Sequence, residues 1–118
     1  MESTRLKKVE EAYRHEVTQL LLFKVQDPRL AVVRVTHVNF TPDMRLARVY
    51  YDVSGSEEQK KEALKGLKRC KGFLKRELSS RIQLRFMPDL EFHYDESAEM
   101  SQKVEELFHR LDQEKSQK

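Results

Sequence analysis

Apolar residues near the start of the chain recur at three- and four-residue spacings. The set comprises Leu6, Val9, Tyr13, Val17, Leu20 and Leu21. On an α-helix this spacing gathers the apolar side chains on one face, so it predicts a helix over residues 4–25. Pro28 disfavours helical geometry in the residue before it, which predicts that the helix ends ahead of Asp27 and Pro28.

Two strands are predicted to follow this helix and to pair as an antiparallel hairpin. In the first strand the apolar positions change parity between Val35 and Val38, so one face stays buried only if the strand bulges near residues 36 and 37. Residues 41–44 supply the turn, because their proline and aspartate suit its central positions. The second strand alternates cleanly, and its inward-facing residues are Ala47, Val49, Tyr51 and Val53.

A second helix is predicted to begin at a capping box formed by Ser56 and Gln59. Its apolar stripe comprises Ala63, Leu64, Leu67 and Cys70. Gly72 interrupts this stripe, and a glycine inside a helix costs about 1 kcal/mol relative to alanine. We therefore expect a kink or a close backbone approach at Gly72, followed by a short third helix.

A last strand is predicted over residues 84–94. Pro88 marks its beginning, a bulge or an edge, because proline cannot donate to a strand ladder. The residues of one parity in this strand are Leu84, Phe86, Leu90, Phe92 and Tyr94. A weaker helix over residues 98–111 and a flexible tail over residues 112–118 complete the chain. The apolar residues of that helix are Met100, Val104, Leu107 and Leu111.

The order of elements is helix, strand, strand, helix, kink, helix, strand, which predicts an α+β fold. We expect a three-stranded mixed sheet covered by helices, in a single domain over residues 1–111. The sequence contains no internal repeat and no linker long enough to separate two domains. One apolar face per element suffices for one core, so a monomer is expected.

Positive charge is concentrated in one window of the chain. Residues 60–85 contain ten Lys or Arg and two acidic residues, a net charge of +8, whereas the whole chain carries +3. A helix face that meets only water usually mixes charges of both signs and so forms i,i+4 pairs. The scarcity of acids favours a surface that faces a polyanion such as RNA. A solvated helix face and a module that docks an acidic partner protein are the alternatives.

The sequence offers little catalytic chemistry. Its three glycines cannot form a phosphate-cradling loop or a dinucleotide-binding motif. The four histidines are scattered singly, so neither a metal site nor a cofactor is expected. A hydrolase that used Asp89, Glu91 or Cys70 would lack a neighbouring pair of base and nucleophile. Cys70 is better explained as a small buried hydrophobe, and the chain is predicted not to be an enzyme.

The same composition predicts a cytoplasmic protein. A single cysteine excludes an internal disulfide. The longest apolar run, Leu20–Phe23, is far shorter than the ~20 residues that span a bilayer. The first residues also lack the apolar stretch of a signal peptide.

Several stretches, taken in order, resemble the ribosome-binding factor A family over about residues 4–111. The matching stretches are Gln26–Leu30, Val35–Asp43, Ala47–Tyr50, Gly72–Leu78 and Leu84–Ser97. No single stretch is decisive, but their order and spacing are specific together.

The resemblance implies a KH-like fold of the second topological type that lacks the Gly-x-x-Gly loop of ordinary KH domains. Instead, the family has a kink made of a small residue, any residue and glycine, which here is Cys70-Lys71-Gly72. The resemblance also implies a non-enzymatic ribosome biogenesis factor that binds the free small (30S) subunit and its 16S rRNA near the 5′-terminal helix. Such a factor assists late maturation and end-processing of that RNA and matters most at low temperature.

The residues predicted to contact RNA lie in the basic window. They are Lys61, Lys65, Lys68, Arg69, Lys71, Lys75, Arg76, Arg81 and Arg85. Folded ribosomal RNA presents phosphates and A-form shape rather than readable bases, so these side chains are expected to follow phosphates. Tyr50 is the one aromatic residue that the strand pattern turns outward, and base stacking across the sheet is therefore not predicted.

Overall fold

The computed structural model describes residues 2–116 and gives the surroundings of the side chains at 4–97 and 103–114. Three α-helices and three strands make up the fold. Their bounds are α1 (Glu2–Phe23), β1 (Val33–Phe40), β2 (Leu46–Val53), α2 (Glu57–Arg81), β3 (Asp89–Tyr94) and α3 (Ser97–Ser116), with a 3₁₀ turn at Pro28–Leu30 after α1. The predicted α+β class is confirmed.

The sheet has the strand order β1-β2-β3. β1 and β2 are antiparallel, and their register shifts between Val35 and His37, so the predicted bulge is confirmed. β2 and β3 are parallel, from Leu46 opposite Asp89 to Tyr51 opposite Tyr94. The sheet is therefore mixed, as predicted.

Local hydrogen bonds fix the two junctions around β2 as the sequence predicts. In the hairpin turn, the N–H of Met44 donates to the carbonyl of Thr41 at 2.8 Å, and Met44 has a left-handed φ of 61°. At the start of α2, the N–H of Gln59 donates to Ser56 Oγ at 3.2 Å. The N–H of Ser56 donates to Gln59 Oε1 at 2.8 Å, which completes the capping box.

One face of the sheet packs against α1 and α2 and forms the core. Tyr13, Val17 and Leu20 of α1 are fully buried there. The ring of Tyr13 meets Phe40 of β1 edge-on, with 5.2 Å between ring centroids. The buried residues of α2 are Ala63, Gly66, Leu67, Cys70, Leu74 and Leu78. The opposite face of the sheet is open to solvent.

The separate short helix predicted after Gly72 is wrong, because α2 runs without interruption from Glu57 to Arg81. Among the described residues, no glycine has a positive φ. A Cβ on the exposed Gly72 would meet only Arg76 Nη1, at 3.9 Å. The close approach that the sequence assigned to Gly72 occurs instead at Gly66, where a Cβ would lie 3.0 Å from Leu30 Cδ2.

The last strand is shorter than predicted, because residues 84–88 form an irregular segment ahead of β3. Phe86, which the prediction placed within that strand, is 77% exposed. α3 runs beyond the predicted end at residue 111, and Val104, Leu107, Phe108 and Leu111 on it are exposed. The Met100 side chain and residues 117–118 lie outside the described part. Across the described residues, no helix has the length and apolar content to cross a membrane.

Candidate nucleic-acid interface

The outer face of α2 presents a row of cations to solvent. An α-helix turns about 100° per residue, so the buried stripe of α2 leaves the opposite side free. Five of the nine predicted RNA-binding residues are exposed on that side, and we call them the α2 basic face: Lys61, Lys65, Lys68, Arg69 and Arg76.

Most of the α2 basic face forms no ion pair with an acidic side chain, although the charge of Arg69 contributes to the lowered pKa of Asp27. Lys65 Nζ lies 3.0 Å from Glu62 Oε1, and both side chains are well exposed. Within the residues that the structure describes, the other four members form no ion pair at 4.0 Å or less. An exposed lysine–glutamate pair is worth little in water, so all five cations are available to an anion.

Two further predicted residues, Lys71 and Lys75, lie on a flank of α2 beside β3. The Nζ atoms of both lysines are 3.2 Å from Asp89 Oδ1. The backbone N–H of Leu90, followed by these two lysines, lowers the pKa of the Asp89 carboxyl. Lys71 and Lys75 are therefore held against the sheet rather than joined to the α2 basic face.

The last two predicted residues lie at and beyond the C-terminal end of α2. Arg81 Nη1 is 3.2 Å from Glu16 Oε2, which ties this end of the helix to α1. Arg85 lies in the segment before β3, with its guanidinium carbon 5.8 Å from the ring centroid of Phe86. The nine residues thus do not form one continuous patch.

Sequence reasoning missed the cations that neighbour Arg69. A groove of about 620 Å³ runs between α2 and the segment after α1, and Lys24, Arg29 and Arg69 line it. Both cations can be seen in the sequence, with Lys24 before the Pro28–Leu30 turn and Arg29 within it. In the structure this turn packs on the buried Gly66. Only the fold brings that turn beside the basic window.

Asp27 holds this turn in place. Its carboxylate accepts from the N–H of Arg29 at 3.0 Å and from the guanidinium of Arg29 at both oxygens. The side-chain hydrogen bond from Arg29 lowers the pKa of Asp27, so the carboxyl stays ionised at neutral pH. The pair fixes Arg29 at the groove.

The groups that a hydrolase would need are occupied or unreactive. Burial raises the pKa of the Cys70 thiol to about 11, so it stays protonated at neutral pH, as expected of a buried hydrophobe. Asp89 is engaged by the two lysines, and Glu91 is bonded to His93. Among the described residues, no cluster of three or more His, Cys, Asp or Glu could hold a metal ion.

The open face of the sheet carries a row of stacked rings. His37 stacks on Tyr50 with 4.2 Å between centroids and 10° between planes. His93 stacks on Tyr50 from the β3 side at 5.4 Å and 30°. The ring of Tyr50 therefore stacks with an imidazole ring from each neighbouring strand.

Comparison with known proteins places the chain in a family. The sequence profile described as ribosome-binding factor A matches residues 5–108. The ribosome-binding factor A of Staphylococcus saprophyticus is 41% identical over 107 residues, which cover 91% of this chain and 94% of the relative. That of Syntrophobacter fumaroxidans is 41% identical over 113 residues, 94% of this chain and 97% of the relative.

Solved structures agree with the sequence comparison. The crystal structure of ribosome-binding factor A from Thermus thermophilus has a TM-score of 0.68 and 27% identity, covering 75% of this chain and 94% of that one. A homology model of the Thermus thermophilus factor, fitted into a cryo-electron microscopy map of a 30S–RbfA complex, has a TM-score of 0.57 and 29% identity, covering 76% and 90%. These likenesses confirm the KH-like α+β fold. The chain belongs to the ribosome-binding factor A family.

Proposed function

We propose that this chain binds the small ribosomal subunit by contacting the phosphates of its RNA with the α2 basic face. The observation that carries the proposal is the row of five exposed cations opposite the buried stripe of one helix. The partner is supported by the 30S complex into which the Thermus thermophilus relative was fitted.

The finer part of the proposal follows the family. The chain acts as a non-enzymatic monomer on 16S rRNA near its 5′-terminal helix, in the free subunit. There it assists late maturation and end-processing of the RNA, and its contribution is greatest at low temperature. Membership of the family supports this role.

The surroundings of Gly72 suit a close approach of an RNA backbone. Gly72 is exposed in the middle of α2, and a Cβ there would contact only the flexible side chain of Arg76, at 3.9 Å. The residues three and four positions away on either side are all basic: Lys68, Arg69, Lys75 and Arg76. Residues at these spacings are neighbours on a helix surface. A phosphate near Gly72 gains charge-assisted contacts with Lys68, Arg69 and Arg76 and meets no Cβ at the centre, while Lys75 is already paired with Asp89.

The test is a charge reversal of Lys61, Lys65 and Lys68 to Glu. These side chains are exposed, so the variant is expected to fold as the native chain does. Phosphate contacts release counterions, so the logarithm of affinity falls linearly with the logarithm of salt concentration. We expect the variant to leave the small-subunit peak of a sucrose gradient and its salt slope to fall by about one unit per lysine removed.

A matched control reverses Arg5, Lys7 and Lys8 on α1, which are also exposed. It changes net charge by the same amount and is expected to leave co-sedimentation intact. Unchanged co-sedimentation of the α2 variant, or equal loss in both variants, would contradict the proposal. Binding that resists ribonuclease and is saturated by one acidic protein would instead favour the alternative of a protein-interaction module.

A further inference from the structure

A cleft opens beside the β1–β2 turn, at the segment that joins α2 to β3. It has a volume of about 630 Å³. Met44, Leu84 and Met87 line it and pack against the core from their other sides. Phe86 also lines it, yet 77% of that residue is exposed. A large aromatic ring is thus held at the margin of an apolar depression instead of being buried.

Two arginines stand beside the ring. Arg45 and Arg85 line the same cleft, and within the described part of the chain neither forms an ion pair at 4.0 Å or less. The guanidinium of Arg85 lies 5.8 Å from the centroid of the Phe86 ring. Both cations face solvent, and their charge is therefore available to a bound molecule.

Among the described residues that line the cleft, one is acidic, and it is already engaged. Asp43 Oδ1 accepts from the hydroxyl of Thr41 at 2.7 Å and from the N–H of Arg45 at 3.1 Å. The hydrogen bond from Thr41, more than that from Arg45, lowers the pKa of Asp43. This carboxylate shapes the turn through these two bonds and attracts the Arg45 charge without an ion pair at 4.0 Å or less, so both guanidiniums can still contact a bound anion.

We propose that this cleft receives an unpaired nucleobase of the bound RNA, which stacks on Phe86 while Arg45 and Arg85 contact the adjoining phosphates. The proposal rests on the proposed function, since it names a second contact with the same polymer. Single-stranded RNA is commonly held by an aromatic side chain for the base and cations for the backbone. A purely apolar protein partner would leave two guanidiniums without a counter-charge.

The experiment compares two polyanions, a short single-stranded oligoadenylate and inorganic polyphosphate. Both carry phosphate charge, but only the first has bases. Phe86→Ala is expected to weaken binding of oligoadenylate about tenfold, the scale of one lost stacking contact, and to leave polyphosphate binding unchanged. Phe86→Tyr keeps an aromatic face and is expected to bind oligoadenylate as the native chain does.

The sequence offers a control position for the Phe86 substitution and allows a fluorescent probe of the cleft. Phe23 is 70% exposed but does not line the cleft, so Phe23→Ala is expected to bind both polyanions normally. The sequence has no tryptophan, so Phe86→Trp places a single fluorophore in the cleft. Its emission is expected to be quenched by oligoadenylate and not by polyphosphate.

The outcomes separate this proposal from the proposed function. The Lys61, Lys65 and Lys68 variant should lose affinity for both polyanions, whereas Phe86→Ala should lose it for oligoadenylate alone. Equal binding of oligoadenylate by native chain and Phe86→Ala overturns the cleft assignment and leaves the α2 basic face untouched. A loss of subunit binding with free RNA binding intact also overturns it, because that result assigns Phe86 to a protein contact.

Discussion

At the scale of single residues, two glycines in α2 have opposite roles. Gly66 is buried against the turn after α1, where an added Cβ would lie 3.0 Å from Leu30 Cδ2 and 3.1 Å from Asp27 Oδ2. Neither neighbour yields readily, because Leu30 is buried in the core and Asp27 is held by Arg29. Gly72 faces solvent and has no such contact. The absence of a side chain is therefore required by packing only at Gly66.

The same substitution is thus expected to change stability in opposite directions. Gly72→Ala should raise the free energy of unfolding by about 0.5–1 kcal/mol, because alanine loses less backbone entropy in a helix. Gly66→Ala gains the same propensity but overpacks the turn, which costs about 1–3 kcal/mol, so it should lower stability by about 1 kcal/mol. Urea unfolding of the two variants measures the difference. A lower free energy of unfolding for Gly72→Ala would instead favour the kink at Gly72 that the sequence predicts.

At the scale of elements, Asp95 joins three of them. Its Oδ2 accepts from the hydroxyl of Thr36 on β1 at 2.6 Å, and its N–H donates to the carbonyl of Tyr51 on β2 at 2.7 Å. Its Oδ1 accepts from the N–H of Ser97, the first residue of α3, at 2.9 Å. Hydrogen bonds from Ser97 and Thr36 lower the pKa of Asp95 to about 2.

This lowered pKa has a consequence for acid stability. An unfolded aspartate has a pKa of about 3.9, so the folded state holds its ionised form more strongly. The resulting stabilisation is fully present above about pH 4 and is lost as pH falls toward about 2. We expect Asp95→Asn to flatten the fall in the urea midpoint across this range, while Glu96→Gln, at an exposed neighbour, leaves the fall unchanged. Identical profiles for Asp95→Asn and the native chain would count against this linkage.

The sequence predicts correctly those local features that depend on a single kind of interaction between residues close together in the chain. The capping box at Ser56 and the bulge after Val35 follow from hydrogen bonding and strand parity alone. The prediction failed at Gly72 because burial of Leu74 and Leu78 outweighs the cost of about 1 kcal/mol for one glycine. It failed at Phe86 because parity assumes a strand, and the pairing with β2 begins only at Asp89.

At the scale of the whole molecule, the solvent-exposed side of α2 carries a concentration of positive charge, the α2 basic face. The sequence identified the basic window, since charge can be counted along a chain. It could not identify which cations the fold neutralises, because Asp89 and Glu16 reach Lys71 and Arg81 from other elements. It also could not assemble the cleft, whose Arg45 and Arg85 come from separate segments.

α3 is the second feature that matters for the molecule as a whole. The described side chains of α3, at residues 103–114, are all exposed, including Leu107 and Phe108. An isolated helix of this length is only marginally stable in water. The core, by contrast, is complete with α1, α2 and the sheet. A direct measurement can therefore decide whether the cooperative domain extends to residue 111, as predicted, or ends before residue 103.

Limited proteolysis with chymotrypsin, at low enzyme concentration, provides this measurement of where the domain ends. We expect cleavages at Leu107 and Phe108 well before any at Phe23, which is as exposed but follows the buried Leu20 and Leu21 on the same helix. The remaining fragment should keep the urea midpoint of the intact chain. Simultaneous cleavage at Phe23 would show that the whole fold opens together.

The exposed stretch of α3, residues 103–114, is thus expected to open separately from the core and at a lower free-energy cost. Opening the core requires global unfolding, whereas opening residues 103–114 breaks mainly hydrogen bonds within the helix, so the two are expected to exchange their amide protons on very different timescales. A partner that ordered α3 would have to provide nearly all of its stability.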